Sequence, residues 1–374
     1  MILSNLIKPA CLFVLVCTTL TGSGQPDHTG GSPVKTINIG LLIQDRNSIS
    51  ARYGAELAIK KANATGGLHG VPLNLEVLSM EGPWGTGSKQ AVDLIFEKNA
   101  VALSGSCDGR NAHLIEQASA KTRVVFISAW SGDPTLAQAY VPWFYSCVPN
   151  YTQQADALIK AVCSPGNIKK LVVLADSSYD SKLALETFRK ELKVSGIMGP
   201  ESISYENVSG NPSIIAENIV KQNADGLLLF TGSSLSVRIV KLLKDKNPSI
   251  NLFGGSNIMK DREFSDNEWK SFEGAVILSS CHWLSDEGKK FREEFLKTYG
   301  FLPGPEAAYS FDSMNLIIDA LRNAGQTREQ MQEYFKTLIY KGITGVIRFD
   351  EKGKRTGEPL MLKVRNGSPV QADK

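Results

Sequence analysis

From Lys35 onward the chain alternates between short β-rich apolar runs and longer segments with helical period. The run "TINIGLLI" (36–43) is followed by "RYGAELAIKKANA", in which Ala55, Ala58, Ile59 and Ala62 fall on one stripe of a 3.6-residue helix. The glycines of "GGLHG" then stop that helix as a C-terminal cap and turn. Next come "LNLEVL", a helix over 88–99, "VALSG", a helix from about Arg110 to Lys121, and "VVFIS". Repetition of βαβα implies a parallel sheet wrapped by helices.

The rhythm restarts after "FYSCVPN". A stripe of Ala155, Leu158, Ile159 and Val162 precedes "KKLVVLAD", a helix through Phe188 and Leu192, "DGLLLF", a helix with Val237 and Val240, and "INLFGG". Two α/β sheets of similar size are predicted. Later, "GAVILSSCHW", helices carrying Leu316, Ile317, Ala320 and Leu321, and "TGVIRFD" read as crossings between the two domains. The division that follows is residues 35–147 plus 281–342 for an N-terminal lobe and 148–280 plus 343–374 for a C-terminal lobe.

The N-terminus breaks the pattern. One cation, Lys8, precedes an apolar core from Ala10 to Leu20 and then small residues, the layout of a secretory signal over residues 1–24 with cleavage near Gly22 to Gly24. The run is too short for a stable bilayer anchor. Cys17 after "VLV" offers a rival, cleavage before a lipid-bearing cysteine, with residues 25–34 as part of a flexible linker. Either route places the mature protein outside the cytoplasmic membrane, in a periplasmic or other extracytoplasmic space.

Composition adds limits. The 374 residues suffice for two cored domains, and 42% hydrophobic with 21% charged residues is ordinary for a soluble protein. A net charge of +3 with no basic stripe argues against nucleic acid. Beyond the signal lie Cys107, Cys147, Cys163 and Cys281, and an oxidising compartment makes one or two bridges reasonable among three pairings. The four histidines are scattered and no Cys-x-x-Cys spacing occurs, so neither a metal nor another cofactor is expected.

Two motifs invite sharper chemistry. "GSCDG" (105–109), between a strand and a helix, has the spacing of a nucleophile elbow with Cys107 in the reactive place. That reading, a Cys-dependent α/β hydrolase, needs an acid and then a histidine downstream; His113 is only six residues away and His282 lies in a crossing segment. Cys107 equally reads as a small buried residue or half of a disulfide. "GPWGTGSK" (82–89) has Gly82 and Gly87 spaced as in a phosphate loop, but Ser88 precedes Lys89 where the motif needs lysine first. Ser88 as the N-cap of the next helix accounts for it more simply.

The stretches "GAELAIKKANATGGLHGVPLNLEV", "VALSGSCDGRNAHLIEQASAKTRVVFIS", "FYSCVPNYTQQADAL", "LADSSYDSKLALETF", "ADGLLLFTGSS", "INLFGGSN" and "ITGVIRFDEKG" occur in an order that resembles the type I periplasmic binding proteins of the branched-chain amino acid group. "NATGGLHG" and "GVIRFDEKG" are the more specific pieces. The resemblance implies two doubly wound parallel-sheet lobes joined by a three-crossover hinge, with a small-molecule ligand in the cleft between them. Ligands of open α/β sheets sit beyond the carboxyl ends of the strands, so the turns after "VALSG", "VVFIS", "VVLAD", "LLLF" (carrying Ser233) and "NLFGG" should face that cleft.

In that family the turn matching "CDG" offers backbone N–H groups and a serine hydroxyl at a helix start to the ligand carboxylate, a placement favoured by the helix dipole. The matching serine position is Gly109 here, flanked by Asp108 and Arg110. The next ligand-holding segment falls on Trp130, Ser131 and Gly132, the covering tyrosine on Tyr179, and the acid that takes an ammonium on Ser256. Gly109 and Gly132 lack hydroxyls and Ser256 lacks charge. A buried ammonium facing Ser256 would lose several kcal/mol without another acid, and Asp108 is one candidate. With Trp84 and Trp130 nearby, the expected ligand is a neutral or cationic molecule with a flat or apolar part, not a plain α-amino acid.

Each of these residues also has a plain structural reading. Trp84, Trp130 and Tyr179 suit partly buried packing, and Asp108 suits a helix cap or a surface pair with Arg110. The function implied by the resemblance is an exported solute-binding component of an ABC-type uptake system, closing by a hinge and docking on a membrane permease, with no enzymatic step. The alternative from another class is a ligand-sensing lobe that signals through a partner protein.

Overall fold

The computed structural model describes residues 36–164, 168–280 and 284–372. The expected signal segment, Cys17 and Cys281 lie outside these residues.

The first half folds as β1 (Ile37–Ile43), α1 (Ile49–Ala64), β2 (Leu73–Ser79), α2 (Thr86–Phe96), β3 (Leu103–Ser106), α3 (Gly109–Thr122), β4 (Phe126–Ser128) and β5 (Phe144–Ser146). These strands make a parallel sheet in the order β2-β1-β3-β4-β5. The order reverses beside β1, the signature of a doubly wound sheet. Ile39, Leu41 and Leu42 of β1 have no solvent exposure because helices cover both faces. The predicted stop of α1 is realised: Gly66 and Gly67 take positive φ, and the Gly67 N–H donates to the Ala62 carbonyl at 2.9 Å.

The chain continues through α4 (Tyr151–Cys163), β6 (Lys170–Ala175), α5 (Tyr179–Val194), β7 (Ser202–Asn207), α6 (Pro212–Lys221), β8 (Gly226–Phe230), α7 (Ser233–Lys246), β9 (Asn251–Gly254), α8 (Asp266–Ser271) and β10 (Val276–Leu278). It returns to the first sheet with α9 (Asp286–Tyr299), α10 (Pro305–Asn323), α11 (Arg328–Thr337) and the hairpin β11 (Tyr340–Gly342) and β12 (Gly345–Ile347), then ends in β13 (Met361–Arg365) and β14 (Ser368–Gln371). The second sheet runs β14-β13-β10-β9-β8-β6-β7, parallel except at β13 and β14.

Three details differ from the pattern-based reading. Val276–Leu278 is an interior strand between β9 and β13, not only a crossing. Ser88 sits inside the first turn of α2, whose N-cap is Gly85 at φ +91°. The terminal hairpin lies outside that reading; Asn366 and Gly367, both at positive φ, are the turn pair that such a hairpin needs.

Passage between the sheets occurs near Cys147–Asn150, after β10, and before β13. Ile343 and Ile347 still pack with the first core, while Leu362 and Val364 belong to the second. Arg355 ties the last passage down. Its buried guanidinium donates to the carbonyls of Cys147 (2.6 Å), Thr344 (2.7 Å) and Val346 (3.3 Å) and to Thr344 Oγ1 (3.1 Å). Beside it lies a cavity of about 230 Å³ lined by residues of all three passages, among them Pro149, Ser279, Thr344 and Leu360.

Candidate ligand site

The carboxyl ends of the two sheets meet, and charged side chains fill the meeting place. After β3 the chain turns through Cys107 and Asp108 into α3. Asp108 is the N-cap: its Oδ1 accepts the Asn111 N–H at 3.0 Å, and its Oδ2 takes Arg110 at 2.7 Å. Both plain readings of Asp108 are therefore realised, and its carboxylate is engaged rather than waiting for an ammonium. The Gly109 N–H, the anion-seeking start of α3, donates to Asp180 Oδ1 at 3.1 Å. Asp180 stands in the first turn of α5, on the opposite sheet, and is buried.

Around this bond the packing is close. A Cβ on Gly109 would lie 2.5 Å from Asp133 Oδ2 and 3.0 Å from the Tyr179 ring. A Cβ on Gly132 would lie 2.7 Å from the Tyr151 ring, and the Tyr151 N–H donates to the Gly132 carbonyl at 2.6 Å. A side chain at either position would have to displace Asp133 and Tyr179, or Tyr151, which accounts for the missing hydroxyls. Tyr179 Oη donates to Asp133 Oδ2 at 3.2 Å, and the Arg110 guanidinium lies 5.0 Å from the Tyr179 ring centroid.

Trp130, following β4, is buried, and Lys260 Nζ lies 5.2 Å from its ring centroid. Lys260 follows the helical turn Ser256–Met259 beyond β9, and its ammonium is 3.5 Å from Glu306 Oε1. Glu306, in the first turn of α10, is fully buried and accepts the Ser106 hydroxyl at 3.0 Å. Its Oε2 has no hydrogen-bond partner among the described residues. The Glu306 N–H also donates to the Lys260 carbonyl at 3.2 Å. Elsewhere Arg292 of α9 pairs with the buried Glu263 at 2.6 Å.

The electrostatics follow from crowding carboxylates away from water. Burial pushes Asp180 up to about 7; the Gly109 N–H and Lys260 pull the other way, while Asp108 and Asp133 raise it further. Burial likewise raises Glu306, against the pull of Lys260. For Lys260 burial disfavours the charge, but Glu306, Asp261 and Asp180 outweigh it and its pKa is raised. Tyr179 is pushed up to about 12 by burial and by Asp133.

The other expected residues are placed as follows. Ser131 is buried and accepts the Asp133 N–H at 3.2 Å. Ser233 opens α7, buried, with its hydroxyl unpartnered among the described residues. Ser256 donates to Gln154 Oε1 at 3.0 Å, so its hydroxyl is engaged by α4. Trp84 is 84% exposed in the loop before α2, outside this cluster. Four charged residues outside the motif reading meet here: Asp133, Asp180, Lys260 and Glu306. Two were adjacent to residues singled out, in "SGD" and "SSYD"; Lys260 and Glu306 lie far apart in sequence and had no local signal.

The elbow reading of "GSCDG" fails on geometry. Cys107 is fully buried in the core of the first sheet, and burial drives its thiol pKa well up, so no thiolate is presented. His113 instead meets Glu116 and Thr135. Cys107, Cys147 and Cys163 are free thiols, so the expected bridges among these three are not made. The first two sit in separate packed cores rather than facing each other.

Two doubly wound sheets with a site at their facing carboxyl ends define a type I periplasmic binding protein. The family model described as "Periplasmic binding protein" matches residues 37–367, and the chain belongs to that family. A relative named Leu/Ile/Val-binding protein homolog 1 of Brucella abortus (strain 2308) is 21% identical over 336 residues, covering 85% of this chain and 86% of its own. Among solved structures, the branched-chain amino acid transporter binding protein LivJ of Streptococcus pneumoniae, in complex with isoleucine, superposes with a TM-score of 0.73 at 18% identity, over 90% of this chain and 100% of that one. A solute-binding protein of an ABC transporter from Rhodopseudomonas palustris BisB5, in complex with 3,4-dihydroxy benzoic acid, gives 0.76 at 17% identity, over 90% and 96%. Among the described residues no helix is long and apolar enough to cross a membrane.

Proposed function

We propose that this chain is an exported solute-binding protein of an ABC-type uptake system, which captures a small molecule between two lobes and presents the closed form to a membrane permease. The lobes follow the sequence division, 35–147 plus 281–342 and 148–280 plus 343–374, except that the last boundary moves past Ile347, which packs with the first core; the hinge is at the three passages around Arg355. Ligand acts by binding the closed arrangement more tightly than the open one. No covalent step or cofactor enters.

The ligand is not a plain α-amino acid. One observation carries this: the Gly109 N–H, where an amino acid carboxylate would be received, is held by the chain's own Asp180. The fit around Gly109 and Gly132 and the engagement of Ser256 by Gln154 support the same reading. LivJ with isoleucine and the Rhodopseudomonas protein with a dihydroxybenzoate show how widely solutes vary on this fold.

The test is a thermal-shift series of α-amino acids, amides, aromatic acids, amines and nucleobases. A solute at a hundredfold over its Kd should add about 2.7 kcal/mol of stability. Strong stabilisation by leucine or another α-amino acid would overturn the ligand reading. Catalytic conversion of a bound solute would overturn the binding-protein reading.

A further inference from the structure

The meeting place of the two sheets holds a buried carboxylate, an aromatic face and a primary ammonium supplied by the chain itself. Trp130 and Glu306 belong to elements of the first sheet and Lys260 to the second. The Lys260 ammonium stands 5.2 Å from the Trp130 ring centroid and 3.5 Å from Glu306 Oε1, the arrangement by which proteins receive a cation. Glu306 offers more than Lys260 uses, since its buried Oε2 has no partner among the described residues. A buried acceptor left unmatched is costly and calls for a donor. Asp133, Asp180 and Glu306 are all buried; Arg110 is taken up by Asp108 and His113 lies 3.7 Å from Asp133, which leaves Lys260 as the cation that faces Glu306.

We propose that Trp130 and Glu306 form the ammonium subsite of the ligand, that the ligand is a primary alkylamine without an adjacent carboxylate, and that Lys260 is the tethered cation it displaces. The proposal rests on the solute-binding reading and narrows it. The Lys260 side chain is a four-carbon alkylammonium and shows the chemistry the subsite accepts. The missing carboxylate follows from Asp180 already holding the α3 N-terminus. A tethered competitor acts at a high effective concentration, so its removal should strengthen binding of a free amine by about tenfold or more.

The experiment uses the mature chain and n-butylammonium, with 1-butanol and butyrate as neutral and anionic counterparts, in titration calorimetry. Lys260→Met should bind butylammonium at least about tenfold more tightly than the unaltered chain, with no such gain for butanol or butyrate. Adding Glu306→Gln to Lys260→Met should abolish the gain, and adding Trp130→Leu should weaken binding by about threefold or more. Equal butylammonium affinity with and without Lys260, or an equal gain for butanol, overturns the proposal. Because a core-facing variant can lose its fold, the unaltered chain labelled with 15N at lysine Nζ gives an independent readout. Butylammonium should move the Lys260 resonance toward that of exposed lysines, and an unmoved resonance at saturating amine overturns the proposal. Tight binding of a neutral or anionic solute that is indifferent to Lys260→Met would defeat the amine assignment and leave the solute-binding reading intact. Scattering profiles that respond to no solute in the series would defeat both.

Discussion

The Gly109 N–H at the start of α3 and the Asp180 carboxylate at the start of α5 join the two sheets through one hydrogen bond of 3.1 Å. Each belongs to a helix N-terminus, where a negative group is favoured. One carboxylate thus serves both helices, at the cost of holding an acid away from water among other acids.

That cost makes the contact sensitive to pH. Asp180 rises from an ordinary 3.8 to about 7 in the folded chain, so the folded form keeps a proton that the unfolded or separated form has lost. The stability from this group is fully present below the ordinary value and is lost as pH rises through about 7. His113, Glu116 and Glu306 have raised values and act in the same direction. Between pH 5 and 7 the slope of unfolding free energy against pH should therefore be negative. Asp180→Asn should make that slope shallower, by up to about 1.4 kcal/mol per pH unit. Urea melts at stepped pH check this, and an unchanged slope in the variant would contradict it.

Gly109 is a close-approach glycine. Gly109→Ser places a Cβ against Asp133 and Tyr179, which are held by each other, so the sheets must part or the side chains must shift. The expected outcome is a loss of about 1–3 kcal/mol and a larger radius of gyration in solution scattering. A variant as compact and stable as the parent would show that the interface yields easily.

Arg355 holds the last passage by four hydrogen bonds, three of them to buried acceptors on Cys147 and Thr344. Arg355→Met keeps much of the side-chain volume but leaves those acceptors unmatched beside Asp312, which is fully buried and accepts the N–H groups of Ile343 and Thr344. A loss of about 3 kcal/mol or more in chemical unfolding is expected.

Cys107 and Cys147 are fully buried with raised thiol pKa values. Alkylation followed by peptide mapping should leave both unmodified in the native protein and label both in denaturant. Rapid native labelling of Cys107 would reopen the question of a reactive thiol there.

Much of the architecture was legible because a doubly wound sheet writes itself into local pattern. Buried parallel strands are continuous apolar runs, covering helices carry one apolar stripe, and "GGLHG" can serve only as a stop. The terminal hairpin carries a local signal in "NG", but its strands are short and polar and lack the continuous apolar runs of the buried parallel strands. The cap at Asp108 could be read from its place before a helix. Its pairing with Arg110, by contrast, was one of several open uses.

The chain's order of apolar and polar residues by itself determined most of the buried strands of the two sheets and the helices that cover them. Only the tertiary structure decided what the turns between them do. Gly109 and Asp180 are 71 residues apart, Ser106 and Glu306 are 200, and nothing in the intervening sequence encodes their distance in space. Local pattern reports burial, because burial repeats along a helix or strand. The chemistry of a site depends on which distant side chains share one small volume from which water is excluded, and that is settled by packing alone.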